Sequence, residues 1–417
     1  MTRVLPALRR NLDLMPSPAA DRPGLLMRDP FRFAEAVLVI PSGLVPCLAF
    51  FNGRYERHQV AEALVRLSGD VRVGQLIDHL ADTLSEAGFL EDEVFAGLRD
   101  ERTRAFADAE ARTAAHAGSA YPVQADTLRQ VMARYVEEPD GGAPPADTLA
   151  RGPLLGIAAP HVSPEGGWRS YQAAYRALGP EPARRTYAIL GTSHYGEPDA
   201  FGLTRKPFLT PLGEAAVDHR LVDELVERGG AAVRVEDYCH SIEHSIEFQV
   251  VFLQHLFGPG VRILPILCGP FARSTQEGGL PDDDPGVERF LSALGEVAAR
   301  EGRALTWVLG VDMAHMGRRY GDAFEARAEQ GLMLEVAERD RARFERIAAG
   351  DARGFWELVR EKGDELRWCG ASPLYAFLKA VAPASARVAR YEQWNIDDAS
   401  VVSFAALAFH DRPAARI

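Results

Sequence analysis

From Gly118 onward the chain alternates short apolar runs, which have the length of strands, with longer segments of helical periodicity. This alternation is typical of a mostly parallel sheet covered by helices, because a strand buried on both faces is apolar throughout. The strand-like runs are Leu154–Ala159, Tyr187–Leu190, Val261–Leu267 and Leu305–Val311, and the helical segments are Trp168–Leu178, Val217–Arg228, Ile246–Phe257, Val287–Arg300 and Phe324–Ala349. Residues 117–417 are therefore predicted to form an α/β domain with a mostly parallel or mixed sheet flanked by helices.

The residues before this domain differ in pattern. Residues 1–24, which are rich in proline, are predicted to be a flexible tail, and residues 99–116 a connecting helix. Residues 25–98 are predicted to form a small α+β domain, because the interrupted apolar run Leu38–Phe51 indicates two strands and helical spacing follows from Gln59. This order resembles the winged-helix domains that recognise peptides beside radical enzymes. An adaptor domain that only packs against its neighbour is the alternative interpretation.

Composition excludes several classes of protein. The net charge is −12, from 47 basic and 59 acidic residues, and no dense Lys/Arg stripe is present, so nucleic acid is not an expected partner. No apolar run approaches the roughly 20 residues of a membrane-spanning helix, and the N-terminus has no apolar signal segment. The four cysteines form no CxxC pair, which is typical of a reducing compartment. We therefore expect a cytoplasmic protein without membrane contacts. The Pro/Gly-rich tract 139–153 is predicted to be a surface loop.

Histidines follow three of the predicted strands. His161 follows the first, His194 the second, and Asp312 and His315 the fourth. Because ligands bind outside the carboxyl ends of parallel strands, these side chains are expected to meet at one edge of the sheet, with His244 beside them at the start of a helix. Imidazole and carboxylate groups together bind iron, zinc or copper. A polar cluster without metal is the alternative. The other histidines are expected to be ordinary surface or core residues: His58, His79, His116, His219, His255 and His410.

A series of motifs in this domain resembles the MEMO-like family. In chain order they are HAGSAYP (from His116), APHVSPEGGW (from Ala159), GTSHYG (from Gly191), TPLGEAAVD (from Thr210), EHSIEFQVVFLQ (from Glu243), VDMAHMG (from Val311), CGASPL (from Cys369) and DDASVVSFAALAF (from Asp397). The resemblance implies a fold similar to class III extradiol dioxygenases. It also implies the protein B type of the AmmeMemoRadiSam grouping, in which a radical SAM enzyme, and with it a peptide substrate, are the expected partners.

The resemblance also implies a site. By position, His161 and His194 are metal ligands and His244 is a pocket residue that acts as an acid or base. The position matched to the family's ligand cysteine is Ala314, which leaves Asp312 or His315 as the third ligand, with His315 also available for proton transfer. Iron is the expected metal, with copper or zinc as alternatives. The implied function is that of a mononuclear-metal redox enzyme, or of an accessory protein to the radical enzyme.

Two other functions compete with this one. A binding or adaptor protein would use the same pocket without turnover. A zinc hydrolase would use His240, Glu243 and His244, which fit the pattern H-x-x-E-H. Cys369 is interpreted as a structural residue before a helix, Cys239 and Cys268 as small hydrophobic side chains, and Asp397-Asp398 as a solvated turn.

Overall fold

The computed structural model describes residues 4–17, 19, 21–69, 72–137, 152–179, 185–381 and 384–411. The chain divides into two compact units, Met1–Asp108 and Ala109–Ile417. Apart from residues 152 and 153, the predicted loop 139–153 lies outside the described residues. Among the helices that are described, none combines the length and the hydrophobicity needed to cross a bilayer.

The first unit consists of a small antiparallel sheet followed by helices. Strands β1 (Asp13–Pro16), β2 (Gly24–Arg28) and β3 (Val37–Pro41) pair in that order, and a 3-10 helix (Val45–Phe50) leads to α1 (Arg57–Ser68), α2 (Arg72–Glu86) and α3 (Glu93–Asp108). The 3-10 helix replaces the second strand expected within Leu38–Phe51. Pro46 lies in its first turn, where proline is favourable, whereas in a strand it would remove a ladder hydrogen bond. The winged-helix description stays a prediction.

The N-terminal residues do not form the predicted flexible tail. Leu5 is only 1% exposed, and β1 pairs with β2 along its whole length. The Arg9 guanidinium forms a buried bidentate pair with Asp29, at 2.9 and 3.0 Å, and lies 3.9 Å from the ring centre of Phe95. Removing either residue would leave the other as a buried charge without a counterion, which is strongly destabilising. This contact therefore holds the N-terminal residues within the unit.

The boundary between the units also differs from the prediction. Helix α3 ends at Asp108, and strand β4 (Arg112–Thr113) already pairs with residues of the large sheet. The segment predicted as a connecting helix, 99–116, is therefore the second half of α3 followed by the first strand of the second unit.

The second unit contains the large sheet and most of the helices. After β4 come, in chain order, α4 (Ala125–Glu137), β5 (Leu154–Ala159), α5 (Pro164–Tyr175), β6 (Thr186–Thr192), β7 (Phe201–Leu203), β8 (Phe208–Thr210), β9 (Gly213–Val217), α6 (His219–Gly229), β10 (Val233–Val235), α7 (Cys239–Ile242), α8 (Glu247–Phe257), β11 (Arg262–Cys268), α9 (Ala272–Glu277), α10 (Pro285–Glu301), β12 (Leu305–Gly310), β13 (His315–Gly317), α11 (Leu332–Ala348), α12 (Ala352–Val359), α13 (Ala371–Ala380), β14 (Ala384–Asp397) and β15 (Ser400–Asp411).

The centre of this sheet is parallel. Its strand order is β13-β15-β5-β12-β6-β11-β9-β8-β4, and β5, β12, β6 and β11 run parallel to one another. Antiparallel pairs of β15 with β5, β13 and β14 make the sheet mixed. The predicted fold class, an α/β domain with a mixed sheet flanked by helices, is confirmed.

Helices cover both faces of the central strands. The ring of Trp307 on β12 packs against Phe377 of α13, whereas the position of Gly310, three residues later and so on the opposite face, meets Ser245 and Gln249 at α8. The core is continuous from α4 to β15, and the four predicted strands are all buried within it.

Two parts of the second unit were not predicted correctly. Helix α11 begins at Leu332 rather than at Phe324, because Glu329 and Gly331 adopt φ values of 59° and 52°, which an α-helix cannot contain. The long hairpin of β14 and β15 was not predicted as strands at all. Residues 400–409 of β15 are buried without alternation, as in the central strands, but this apolar run was interpreted only as the closing family motif.

Candidate functional site

Three adjacent parallel strands deliver polar side chains to the same edge of the sheet. His161 stands two residues after the end of β5, His194 two residues after β6, and Asp312 two residues after β12. The last residue of β12, Gly310, pairs with Ala159 on one side and with Gly191 on the other. Because the strands end at the same height, their following residues are brought to one crevice.

The loop before α8 reaches over these strand ends and brings His244 with it. The Ser245 hydroxyl donates a hydrogen bond of 2.8 Å to the carbonyl of Thr192. A Cβ atom at Gly191 would lie 2.5 Å from the Ser245 hydroxyl oxygen, and one at Gly310 would lie 2.1 Å from the Ser245 carbonyl oxygen. Glycine at both strand ends therefore permits the close approach that places His244 beside the strands.

The three histidines form a compact triangle. The ring centres lie 4.9 Å apart for His161 and His194, 5.1 Å for His161 and His244, and 4.9 Å for His194 and His244. His161 is buried, whereas the side chains of His194 and His244 are 28% and 25% exposed. The cluster is thus closed at the sheet and open on the side of His194 and His244.

Hydrogen bonds leave the same nitrogen of each ring free. The Nδ1 atom of His161 lies 2.9 Å from the carbonyl oxygen of Gly310, and the Nδ1 atoms of His194 and His244 lie 3.1 and 3.0 Å from the carboxylate of Glu243. A carbonyl and a carboxylate accept hydrogen bonds, so Nδ1 donates in all three rings. In the neutral form of each ring Nε2 then carries the lone pair, as in the outer-shell arrangement of metal-binding histidines. At His194, however, the effect of burial on the pKa is outweighed by the nearby Glu243 carboxylate, which raises it.

The thiol of Cys369 completes this group. Its Sγ atom lies 3.3 Å from His161 Nε2, and His161, His194 and Cys369 offer ligand atoms that all lie within 4.8 Å of one another. Cys369 was predicted to be structural, and Ala314, whose methyl side chain offers no ligand atom, was matched to the family's ligand cysteine. The structure places the sulfur of Cys369, from the residues leading into α13, beside the histidines.

A second group shares His194 with the first. The ligand atoms of His194, Glu243 and His244 also lie within 4.8 Å of one another. Glu243 is 2% exposed, and its carboxylate accepts from the backbone N–H groups of His194, His244 and Ser245 as well as from the two rings. These bonds make Glu243 the orienting group of the cluster.

The two residues predicted as third ligand lie at the edge of the cluster. Asp312 Oδ1 accepts from the backbone N–H of His161, and Asp312 Oδ2 lies 3.6 Å from His161 Nε2. The His315 Nδ1 atom lies 2.9 Å from the carbonyl of Met313, and its ring packs 5.0 Å from Tyr320. Among the described residues, neither Asp312 nor His315 belongs to a group of three ligand atoms within 4.8 Å.

The zinc-hydrolase pattern is not assembled. Helix α7 ends at Ile242, and Glu243 is extended, with φ −75° and ψ 139°, so the motif does not lie on one helical face. His240 is buried, with its Nε2 atom 3.0 Å from the Gly202 carbonyl and its ring 6.1 Å from that of Phe208. A helix break separates His240 from Glu243 and His244, and among the described residues His240 belongs to no group of three possible ligands.

His116, which the sequence analysis treated as ordinary, lies beside the cluster. Its ring centre is 5.5 Å from that of His244, and its Nε2 atom is 2.8 Å from the Ile242 carbonyl. Glu247 holds this loop by accepting from the backbone N–H of His116, and Glu247 is itself paired with the fully buried guanidinium of Arg112. The motif HAGSAYP begins at His116 and is the first of the family motifs, so it could have indicated that His116 lies near the site.

Burial and neighbouring charges set the ionisation of the cluster. Burial and the nearby rings of His194 and His244 hold the pKa of His161 well below its usual range. Burial opposes ionisation of Glu243, yet His194 and His244 keep its pKa well below the usual value. Burial raises the pKa of Asp312 to about 7 and also raises that of the Cys369 thiol. The site thus contains a neutral His161 and an anionic Glu243.

Comparisons with known proteins agree in placing this chain. The family described as Memo-like protein matches residues 112–408. A MEMO1 family protein of Aquifex aeolicus is 23% identical over 390 residues, 92% of this chain and 96% of the relative. The MEMO1 family protein TK1477 of Thermococcus kodakarensis is 32% identical over 218 residues, 50% of this chain and 70% of that protein. A MEMO1 family protein of Methanosarcina acetivorans is 27% identical over 304 residues, 72% of this chain and 98% of the relative.

The family match begins at β4 and ends within β15, so it spans nearly the whole second unit. The alignment with the Aquifex aeolicus protein is longer than that unit, so the similarity reaches into the first unit. Among solved structures, that of the uncharacterized protein JW3007 from Escherichia coli K12 aligns with a TM-score of 0.38 and 9% identity, over 61% of this chain and 99% of that one. On the family match and the sequence relatives, this chain belongs to the Memo-like protein family.

Proposed function

We propose that the second unit is a metal-dependent oxidoreductase that holds one transition-metal ion through His161 Nε2, His194 Nε2 and Cys369 Sγ. The observation that carries the proposal is the arrangement of donors. Two imidazoles whose Nδ1–H groups are already bonded lie with a thiol in one group, within 4.8 Å of one another. Two Nε2 atoms that are already oriented beside a sulfur atom form a set of donors that metals bind. A polar cluster with a purely structural role does not need this arrangement.

The proposed metal is iron, with copper and zinc as the outcomes to be distinguished. A thiolate with two imidazoles excludes the hard ions Mg²⁺ and Ca²⁺, which take oxygen ligands. Two histidines and one anionic ligand on one side resemble the arrangement that leaves open positions on non-haem iron. When bound, such a metal would supply a binding position for a substrate oxygen and a route for electron transfer.

The surrounding residues have separate roles in this proposal. Glu243 holds the rings of His194 and His244 in one tautomer. The ring centre of His244 lies 5.1 Å from that of His161 and 4.9 Å from that of His194, on the open side, where its Nε2 would take or give a proton on a bound substrate. Asp312 orients His161 through the backbone N–H group.

Metal analysis of protein purified without oxygen tests the ligand assignment. We expect about one equivalent of metal in the wild-type protein, and loss of that metal in His161→Ala, His194→Ala and Cys369→Ala. Two matched controls should keep it: His315→Ala, which removes the rejected ligand, and Cys268→Ala, which removes a buried cysteine after another strand. Metal retained in Cys369→Ala but lost in His315→Ala would reverse the assignment.

Oxygen consumption separates catalysis from binding. With a catechol as probe, iron-loaded protein should consume oxygen, and His244→Ala should lose that activity while keeping its metal. A loaded protein that consumes no oxygen with catechols would contradict the oxidoreductase proposal and favour a binding protein that uses the same pocket.

A further inference from the structure

The first unit contains a cleft of about 1120 Å³, lined by α1, α2, the start of α3 and the first residues of the chain. Val4 and Val94, which are 45% and 43% exposed, give the cleft apolar surface, whereas Leu5, Ala81 and Leu90 also line it but are each only 1% exposed. On α2 the lining positions Asp78, Ala81, Asp82 and Ser85 follow helical spacing, so the cleft runs along one face of that helix. Its length along α2 is about 10 Å, at about 1.5 Å per residue.

The rim of this cleft is strongly acidic. Six carboxylates line it, against one guanidinium, that of Arg57, and the imidazole of His58; the six are Glu62, Asp78, Asp82, Glu91, Asp92 and Glu93. Carboxylates concentrated around an apolar surface raise the local concentration of cations and of cationic chains.

Some of these carboxylates are already engaged. Arg57 lies 2.9 Å from Asp82 and 3.6 Å from Asp78, so one cation is shared between two anions. Asp92 accepts from the Ser85 hydroxyl and from the first turn of α3. Glu91 and Glu93 are exposed and make no ion pair with any residue that the structure describes. The cleft therefore keeps an excess of negative charge that its own residues do not neutralise.

We propose that this cleft binds a lysine- or arginine-bearing segment of another polypeptide. The exposed side chains of Val4 and Val94 would contact the segment's apolar side chains, and the rim would pair with its cations. A metal ion alone would not need these exposed valines, and a polyanion such as nucleic acid would be repelled by the rim. An extended segment of about three residues covers the 10 Å of α2, at about 3.3 Å per residue. This inference is independent of the proposed metal centre.

Fluorescence anisotropy with the full-length protein tests the proposal. The probes are a short labelled peptide in which lysine alternates with leucine and alanine, and its counterpart with glutamate in place of lysine. We expect the lysine peptide to bind at low ionic strength, the glutamate peptide not to bind, and the affinity to fall as salt is added. The double variant Glu91→Gln/Glu93→Gln should weaken binding about tenfold, because it removes the two unpaired charges.

A matched double variant controls for net charge. Glu86→Gln/Glu101→Gln removes the same charge from exposed positions of α2 and α3 outside the cleft, and it should bind the lysine peptide as the wild-type protein does. Val94→Ser should weaken binding without unfolding, since Val94 is exposed. The proposal is overturned if the lysine peptide does not bind, if both peptides bind equally, or if the two double variants lose affinity to the same extent.

Discussion

The substitution Glu243→Gln tests whether this carboxylate orients the metal ligands. Glutamine keeps the shape of the side chain but has one oxygen and one NH2 group. The Oε1 atom of Glu243 accepts hydrogen bonds from His244 Nδ1 and from the backbone N–H groups of His244 and Ser245. Its Oε2 atom accepts from the backbone N–H group of His194 at 2.9 Å. The less costly orientation therefore keeps the glutamine oxygen at Oε1. It places the NH2 group against the backbone N–H of His194, and it leaves His194 Nδ1, which lies 3.1 Å from both oxygens, with the Oε1 contact alone.

The expected effect is large but not complete. Replacing a carboxylate that orients a metal-binding histidine typically costs 10- to 100-fold in metal affinity, or about 1.4 to 2.8 kcal/mol. Hydrogen bonds to a charged acceptor contribute about 1.5–3 kcal/mol each, so the loss of one such bond at His194 is of the same size. We therefore expect Glu243→Gln to bind metal 10- to 100-fold more weakly, with His161, His194 and Cys369 all still present.

Competition with a chromophoric chelator under anaerobic conditions measures this affinity, and near-ultraviolet circular dichroism checks that the variant is folded. Asp282→Asn is the matched control, because Asp282 also accepts from a tyrosine and a lysine, Tyr375 and Lys379, but lies in the 3-10 turn Pro281–Asp283 before α10. The reasoning is refuted if folded Glu243→Gln binds metal as tightly as the wild-type protein and the control do.

Three further substitutions test the packing around the site. Arg112→Met should destabilise the second unit by about 3–5 kcal/mol in chemical denaturation, because it leaves the fully buried carboxylate of Glu247 without its cation. Gly310→Ala should cost about 1–3 kcal/mol, because its Cβ would lie 2.1 Å from the Ser245 carbonyl oxygen, a backbone atom that cannot rotate away. Asp364→Asn should stabilise the protein above pH 6, since burial raises the pKa of Asp364 to about 6. The folded state keeps this proton to a higher pH than the unfolded state, so wild-type stability falls between about pH 4 and pH 6, and the variant should lack that fall.

Each of these substitutions has its own control. Arg129→Met breaks an exposed pair with Asp126 and should change stability by less than about 0.5 kcal/mol. Gly97→Ala adds a methyl group where no atom lies within 4 Å, and it should be harmless. For Asp364→Asn, stability measured at pH 4 and at pH 8 should differ less than in the wild-type protein. An equal difference in both proteins would show that other groups cause the pH dependence.

The sheet and two of the proposed ligands were predictable because they depend on local patterns. Apolar runs without alternation identified β5, β6, β11 and β12, and the same runs showed where each strand ends. The N-terminal tail was not predictable in this way. Its proline-rich composition suggested disorder, whereas its order comes from Leu5 and from the pair of Arg9 with Asp29, which only the tertiary structure reveals. The radical-enzyme partner stays a prediction.

The sulfur ligand shows what local pattern could not supply. Cys369 is 208 residues from His161 along the chain and stands before a helix, where a cysteine has no distinctive spacing to other ligands. Its motif CGASPL was recognised, but the family's ligand cysteine was matched by position to Ala314 in VDMAHMG. Asp312 and His315, which flank Ala314, were then taken as its substitutes.

Strand order places Asp312 between the two predicted histidine ligands. Strand β12 lies between β5 and β6, so Asp312 projects from between the loops that carry His161 and His194. Its carboxylate accepts the backbone N–H of His161, and burial raises its pKa to about 7, so that only part of it is ionised near neutral pH. Cys369 comes from outside these three strands, and its sulfur lies with His161 and His194 in one group. It stands just before α13, a helix that packs on β6 and β12, so the tertiary fold rather than a local motif brings it to the histidines.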